Sequence, residues 1–304
     1  MADTSSPPRV LAAPDLPGGL PAPVGLNAFP DAALLLVAHG SSVNEDSAGA
    51  ARAHADRLRA MGLFREVAVA FWKQEPFIIG ALERLAAGRV FVAPLFISEG
   101  YFTEEAIPEA LGLKPAGVSA FERCQRRPGR EVRYCRPVGT HEAMTDVLLD
   151  RAAEVVRCHP FPRVPPEGET ALLLAGHGTD RNPNSRRAIE WHAERIRRLG
   201  RYAEVHSVFL EETPRIADAC AISRSPNLVV VPFFISEGLH TAEDIPVLLG
   251  APEKAVRDRR AAGLPPWRNP TSRDGKRIWY AEPAGTDPLV VDVVLARVRE
   301  AAAG

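Results

Sequence analysis

The chain lacks a phosphate-binding loop. Neither G-x-G-x-x-G nor G-x-x-x-x-G-K-[ST] occurs, so the nucleotide-dependent α/β classes miss their defining turn. An excess of one charge is missing as well. The 37 basic and 38 acidic side chains leave a net charge of −1, which argues against nucleic-acid and anionic-membrane partners. Cysteine is scarce, four in 304 residues with no C-x-x-C spacing, so neither a zinc or iron–sulfur site nor a disulfide framework is expected. No apolar run nears the roughly 20 residues of a membrane span; runs such as Val90 to Ile97 fit single buried strands. Residues 1–30 are rich in Pro, Ala and Gly without a basic start or apolar core. They are expected to form a flexible tail, not a signal peptide, which makes a cytoplasmic address the default.

What the chain does have is repetition. LLLVAHGSSVNEDS (Leu34 to Ser47) returns as LLLAGHGTDRNPNS (Leu172 to Ser185), and FISEGYFTEEAIP (Phe96 to Pro108) returns as FISEGLHTAEDIP (Phe234 to Pro246). Both pairs share one offset, 177 − 39 = 138 and 234 − 96 = 138, so the intervening blocks align without a gap. YCRPVGTH at Tyr134 against YAEPAGTD at Tyr280 lies at 280 − 134 = 146, so the second copy has gained eight residues, placed in the Pro- and Arg-rich stretch around Ala262 to Asp274. A unit of this length is domain-sized, larger than a solenoid repeat. The expected organisation is a tail (1–30), a first α/β domain (31–158), a Pro-rich linker (159–169) and a second α/β domain (170–304).

Within each copy, short apolar runs alternate with helical patterns. Strands are expected at Ala32–Ala38, Glu66–Trp72, Arg89–Phe96 and Arg130–Val138, and helices at Ser47–Met61, Pro76–Ala87, Thr103–Leu111 and His141–Arg157; the second copy repeats this order. The fold class is therefore α/β, two similar Rossmann-like domains with mostly parallel four-stranded sheets facing a central cleft.

Ligands of open parallel sheets bind beyond the carboxyl ends of the strands. Three chemically useful residues of the second copy fall there: His177 after the first strand, Glu211 after the second and His240 after the third. Adjacent strands lie roughly 5 Å apart, so these groups can converge. Two imidazoles and a carboxylate suit a divalent transition metal, or base chemistry beside one. A histidine that merely satisfies its own turn is the competing explanation for each position taken singly. The first copy keeps His39 but has Lys73 for Glu211 and Phe102 for His240. A single active centre in the second copy is expected, with His39 either a structural relic or a neighbour of a Lys73 that faces an anionic group, and with Glu75 a partial substitute for the missing carboxylate.

HGT at His177, FLE at Phe209 to Glu211 and P-F-F-x-x-x-G-x-H-x-x-x-D-I-P from Pro232 to Pro246 resemble the class II chelatases, closest to the sirohydrochlorin cobaltochelatase and ferrochelatase group. The resemblance spans roughly Asp31 to Ala302. It implies two Rossmann-like lobes around a cleft where Co²⁺ or Fe²⁺, with Ni²⁺ a further candidate, is inserted into a tetrapyrrole such as sirohydrochlorin, in cobalamin or siroheme biosynthesis. It further implies that His177, Glu211 and His240 act as metal ligands and proton acceptors, with no nucleotide. The chain departs from that pattern in its ISEG turn, its degenerate first-copy site and its Arg-rich insertion near Arg257 to Arg273. Arg181, Arg186 and Arg187 are either contacts for the carboxylates of the macrocycle or a solvated helix start. The duplication lets a monomer supply the whole cleft. Two rivals stand beside this reading. One is a metal-binding or delivery protein, or a catalytically altered relative, using the same ligands. The other is a histidine phosphatase, which needs an Arg before its His where this chain has Ala38 and Gly176.

Overall fold

A computed structural model describes residues 29–42, 45–179 and 183–304. The expected N-terminal tail falls almost wholly outside this range. The strands are β1 (Phe29–Ala38), β2 (Phe64–Phe71), β3 (Arg89–Pro94), β4 (Cys124–Arg127) and β5 (Arg130–Tyr134), then β6 (Thr170–Gly176), β7 (Glu204–Phe209), β8 (Asn227–Pro232), β9 (Thr271–Arg273) and β10 (Lys276–Tyr280). The longer helices are α1 (Gly49–Ala60), α2 (Met144–Cys158), α3 (Pro183–Leu199), α4 (Glu253–Ala261) and α5 (Val290–Ala303).

Two five-stranded sheets result, ordered β2-β1-β3-β5-β4 and β7-β6-β8-β10-β9. Four strands of each are parallel, as the alternating pattern predicts. The fifth is an added antiparallel edge. In the second sheet it is a hairpin closed by Asp274 and Gly275, both at positive φ, the backbone that Asp-Gly favours in a two-residue turn. The central strands β1 and β6 are buried on both faces, which is why they read as unbroken apolar runs rather than alternating ones.

One expected helix is absent. Pro76–Ala87 folds as turns, with Gly80 at φ 71°, and the backbone pairs back onto the strand end: Phe71 N donates to Pro76 O at 2.8 Å and Ile78 N to Phe71 O at 3.0 Å. Its counterpart after β7 is reduced to a 3₁₀ turn at Ile216–Asp218 and one α turn at Ala219–Ile222.

The closing helices are exchanged between the sheets. Helix α2, at the end of the first repeat, packs on β8 and β10; α5, at the end of the second, packs on β3 and β5. Leu34 and Leu36, Leu172 and Leu174, and residues of α1, α2, α3 and α5 consequently share one core between the sheets. Polar contacts repeat the exchange. His54 Nε2 of α1 donates to Gly285 O at 2.8 Å, and His192 Nε2 of α3 donates to Gly139 O at 2.8 Å. Arg151 reaches Thr286 Oγ1 at 2.9 Å, and Arg297 reaches Thr140 Oγ1 at 2.6 Å. Gly139 and Gly285 are required here, because a Cβ on either would lie 2.2 Å from the backbone of Ile97 or Ile235. The exchange fixes the lobes against each other and so fixes the cleft between their strand ends.

Candidate metal-handling site

Strand register places the site residues. Gly176 pairs with Phe209 at the ends of β6 and β7, and one step beyond, Glu211 N donates to His177 O at 3.1 Å. His240 opens a single π-turn, His240–Asp244, that follows the FISEG loop after β8. These elements bring the two imidazoles together, with ring centroids 4.9 Å apart and ring planes perpendicular. Glu211 stands at the edge, Oε1 3.8 Å from His177 Nδ1. All three are open to solvent, with side-chain exposures of 35%, 47% and 58% for His177, His240 and Glu211.

Hydrogen bonding sets the tautomers. His177 Nδ1 lies 2.9 Å from the carbonyl of Gly178, which can only accept, so Nδ1 carries the proton. His240 Nδ1 lies 2.7 Å from Asp244 Oδ2, with the same consequence. Each ring is left with its Nε2 lone pair, the form that ligates a metal or takes a proton, and the carboxylate on the far nitrogen fixes the orientation of the His240 ring. Among the described residues no group of three His, Cys, Asp or Glu is placed to hold a metal ion. Two imidazoles meet, while the carboxylate of Glu211 stands at the exposed edge. Asp244 is the site residue that sequence reasoning missed; the signal was its position four residues after His240 in the H-x-x-x-D-I-P stretch.

The first lobe keeps the same frame with different chemistry. His39 and Phe102 meet at 4.9 Å with an interplanar angle of 86°, the arrangement of His177 and His240. Phe102 also packs against Trp72, Phe96 and Tyr101, so an aromatic cluster fills the space that His240 and its carboxylate use in the second lobe. Lys73 N donates to His39 O at 2.9 Å, which puts Lys73 where Glu211 stands. Glu75 is exposed and makes no ion pair with His39; its carbonyl oxygen accepts from Arg52.

Between the lobes lies a cleft of about 770 Å³, within the range of small-molecule sites. His39, Ser41 and Lys73 line it from one side and Glu237, His240 and Arg260 from the other. Of the three arginines after His177, Arg181 lies outside the described residues. Arg186 is committed to structure, held by Glu190 at 2.8 Å and Glu212 at 2.7 Å and stacked on Phe209. Arg187 is exposed beside Thr140 and Trp191, away from the cleft lining. All four cysteines are free, and burial pushes the Cys135 thiol up to about 12.

Similarity to known proteins places this fold among the metal chelatases. The chain belongs to the CbiX family, whose model matches residues 33–155 and again residues 171–301. It is 41% identical over 281 residues to a probable sirohydrochlorin cobaltochelatase of Halobacterium salinarum, covering 89% of this chain and 92% of that one. The sirohydrochlorin cobaltochelatase of Methanopyrus kandleri is 37% identical over 138 residues, 43% of this chain but 96% of its own length, so it is a single copy of the repeat. Among solved structures, a multi-domain protein of Deinococcus radiodurans described as similar to chelatases superposes with a TM-score of 0.69 at 30% identity, over 88% of this chain and 54% of that one. SirB from Bacillus subtilis, solved with Fe³⁺, superposes with a TM-score of 0.63 at 20% identity over 90% and 96%, a likeness of fold.

Proposed function

We propose that the chain inserts a divalent metal, cobalt or ferrous iron, into a tetrapyrrole such as sirohydrochlorin, and that His177, His240 and Glu211 form its one reaction centre. The observation that carries this reading is the perpendicular imidazole pair, each ring tied at Nδ1 and bare at Nε2, with His240 on the wall of the interlobe cleft. Metallation exchanges one dication for two pyrrole N–H protons, so the protein must release a metal and accept protons on the same face. Two neutral imidazoles hold a divalent ion through Nε2 without caging it. Once the ion moves to the macrocycle, a freed Nε2 lone pair accepts one of the two pyrrole protons. Glu211, exposed at the edge, takes the other proton or steadies the arriving ion. Both walls of the cleft come from one chain, so a monomer suffices, acting in the cytoplasm without nucleic acid or membrane. No helix of the described residues is long and apolar enough to cross a membrane.

An anaerobic absorbance assay with the full chain, sirohydrochlorin and Co²⁺ or Fe²⁺ tests this. The expected result is conversion well above the spontaneous rate, lost in His240→Ala. Metal binding that depends on His240, with no acceleration of metallation, would replace the reading with metal delivery.

A further inference from the structure

Two cationic side chains on the cleft wall have no part in the metal site. Lys73 comes from the first lobe at the position equivalent to Glu211; it is exposed and forms no ion pair among the described residues. Arg260 comes from α4, which has no helical counterpart between Pro108 and β4 of the first lobe. Arg260 is ion-paired with Glu243, a residue of the same π-turn that carries His240 and Asp244. One carboxylate cannot use all five donors of a guanidinium, so Glu243 aims Arg260 without saturating it. Among the described residues that line the cleft, Glu237 is the one acid beside these two cations.

The geometry points to Lys73 and Arg260 as a paired anchor for the peripheral carboxylates of the macrocycle. They would hold it from both lobes while its centre faces the imidazoles. This rests on the metallation reading above and assigns the degenerate lobe a binding task. Replacing Glu by Lys at the position of Lys73 removes a proton acceptor and adds a partner for an anion. The opposing cation stands on α4, in the longer connection that the second copy has between Pro246 and β10. Substrate orientation then comes from the asymmetry of the duplication: peripheral carboxylates held by Lys73 on one wall and Arg260 on the other, reacting nitrogens toward the imidazoles of the second lobe.

The test is a titration of metal-free sirohydrochlorin into the full chain, followed by absorbance, beside steady-state metallation. For Lys73→Met/Arg260→Met the macrocycle should bind at least about 10-fold more weakly, the loss expected for a charge-assisted contact. KM for the macrocycle should rise more than kcat falls, and KM for Co²⁺ should hold. Lys73→Arg, which keeps the charge, should bind like the parent chain, and the fully esterified macrocycle should not distinguish parent from double variant. If the parent metallates and the double variant binds the free acid as tightly as the parent, the anchor is wrong and the metallation reading stands. If the parent neither binds nor metallates sirohydrochlorin, the metallation reading itself fails.

Discussion

The two lobes hold the same ring geometry around different chemistry, His177 against His240 in one and His39 against Phe102 in the other. The common feature is the backbone: each histidine follows a central strand, and the carbonyl of each accepts from the residue at the Glu211 or Lys73 position. Three side chains make the difference. His240, Glu211 and Asp244 stand where the first lobe has Phe102, Lys73 and Ala106. A fold can thus keep a ligand-ready turn and lose its chemistry through substitutions that leave packing intact, since Phe fills the imidazole position and adds aromatic contacts of its own.

The comparison breaks most visibly at the histidines. His177→Ala and His240→Ala should each lower metallation by about 100-fold or more, because each removes one of two facing imidazoles that stand beside a carboxylate, whereas His39 faces Phe102. His39→Ala should lower it by only a few-fold. Rates measured side by side decide the point, and equal loss from all three would end the single-centre account. The reverse experiment rebuilds the missing set. In Lys73→Glu/Phe102→His/Ala106→Asp, calorimetric titration with Co²⁺ should find a second equivalent bound where the parent binds one.

Both lobe locks bury a histidine, and burial lowers the pKa of His54 as it does that of His192. His192 is fully buried, and burial lowers its pKa to about 4, with the charges of Arg195 and His141 acting in the same direction. Its folded pKa lies below the unfolded 6.5, so the neutral ring contributes stability that is complete above pH 6.5 and lost as pH falls toward 4. The shift corresponds to about 3 kcal/mol. Denaturant melts at steps between pH 7 and 4 should show this loss, and His192→Gln should flatten it. An unchanged slope in the variant would assign the acid sensitivity elsewhere.

The repeat and the parallel strands were legible, because each leaves a mark in residue type at fixed spacing. The exchanged helices left none. Alignment of His141–Arg157 with Pro288–Ala302 says that two segments are alike, whereas the sheet each one covers emerges only in the packing of α2 on β8 and β10 and of α5 on β3 and β5. The Pro76–Ala87 helix failed for a local reason: a glycine in the left-handed region sits inside it, and its backbone groups find partners on the end of β2 instead. Asp274-Gly275 carries a hairpin signal inside a charged, Pro-rich stretch whose composition otherwise matches a loop. Asp244 was visible as part of a motif, but its role needed the π-turn that brings it 2.7 Å from His240.

That role can be measured against Ala106, the residue in its place in the first lobe. Asp244→Asn keeps an acceptor for the Nδ1 proton and removes the charge; Asp244→Ala removes both. Metal affinity and metallation should fall by about 10-fold in the alanine variant, with the asparagine variant between it and the parent. Parent-like behaviour in both would mean that the ring is oriented by packing against Phe234 and His177 alone.

The smallest contrast is one hydroxyl. His192 Nδ1 accepts from Thr145 Oγ1 at 2.9 Å, and Thr145 stands on the exchanged helix α2. The equivalent nitrogen of His54 is buried without a partner, and the residue of α5 at the equivalent place, 145 + 146 = 291, is Val291. The two lobe locks thus share the donor bond to a glycine carbonyl and differ at the acceptor nitrogen. Thr145→Val should destabilise the chain by about 1 kcal/mol, since a buried polar atom loses its only partner while the shape is kept. Val291→Thr should stabilise it by a similar amount if the hydroxyl turns toward His54. Urea midpoints for the two variants and their combination measure both effects. Opposite shifts that cancel in the combination would establish that the locks are equivalent by construction and unequal by that hydroxyl. A loss in both singles would instead mean that α5 is packed too closely around Val291 for a hydroxyl to turn.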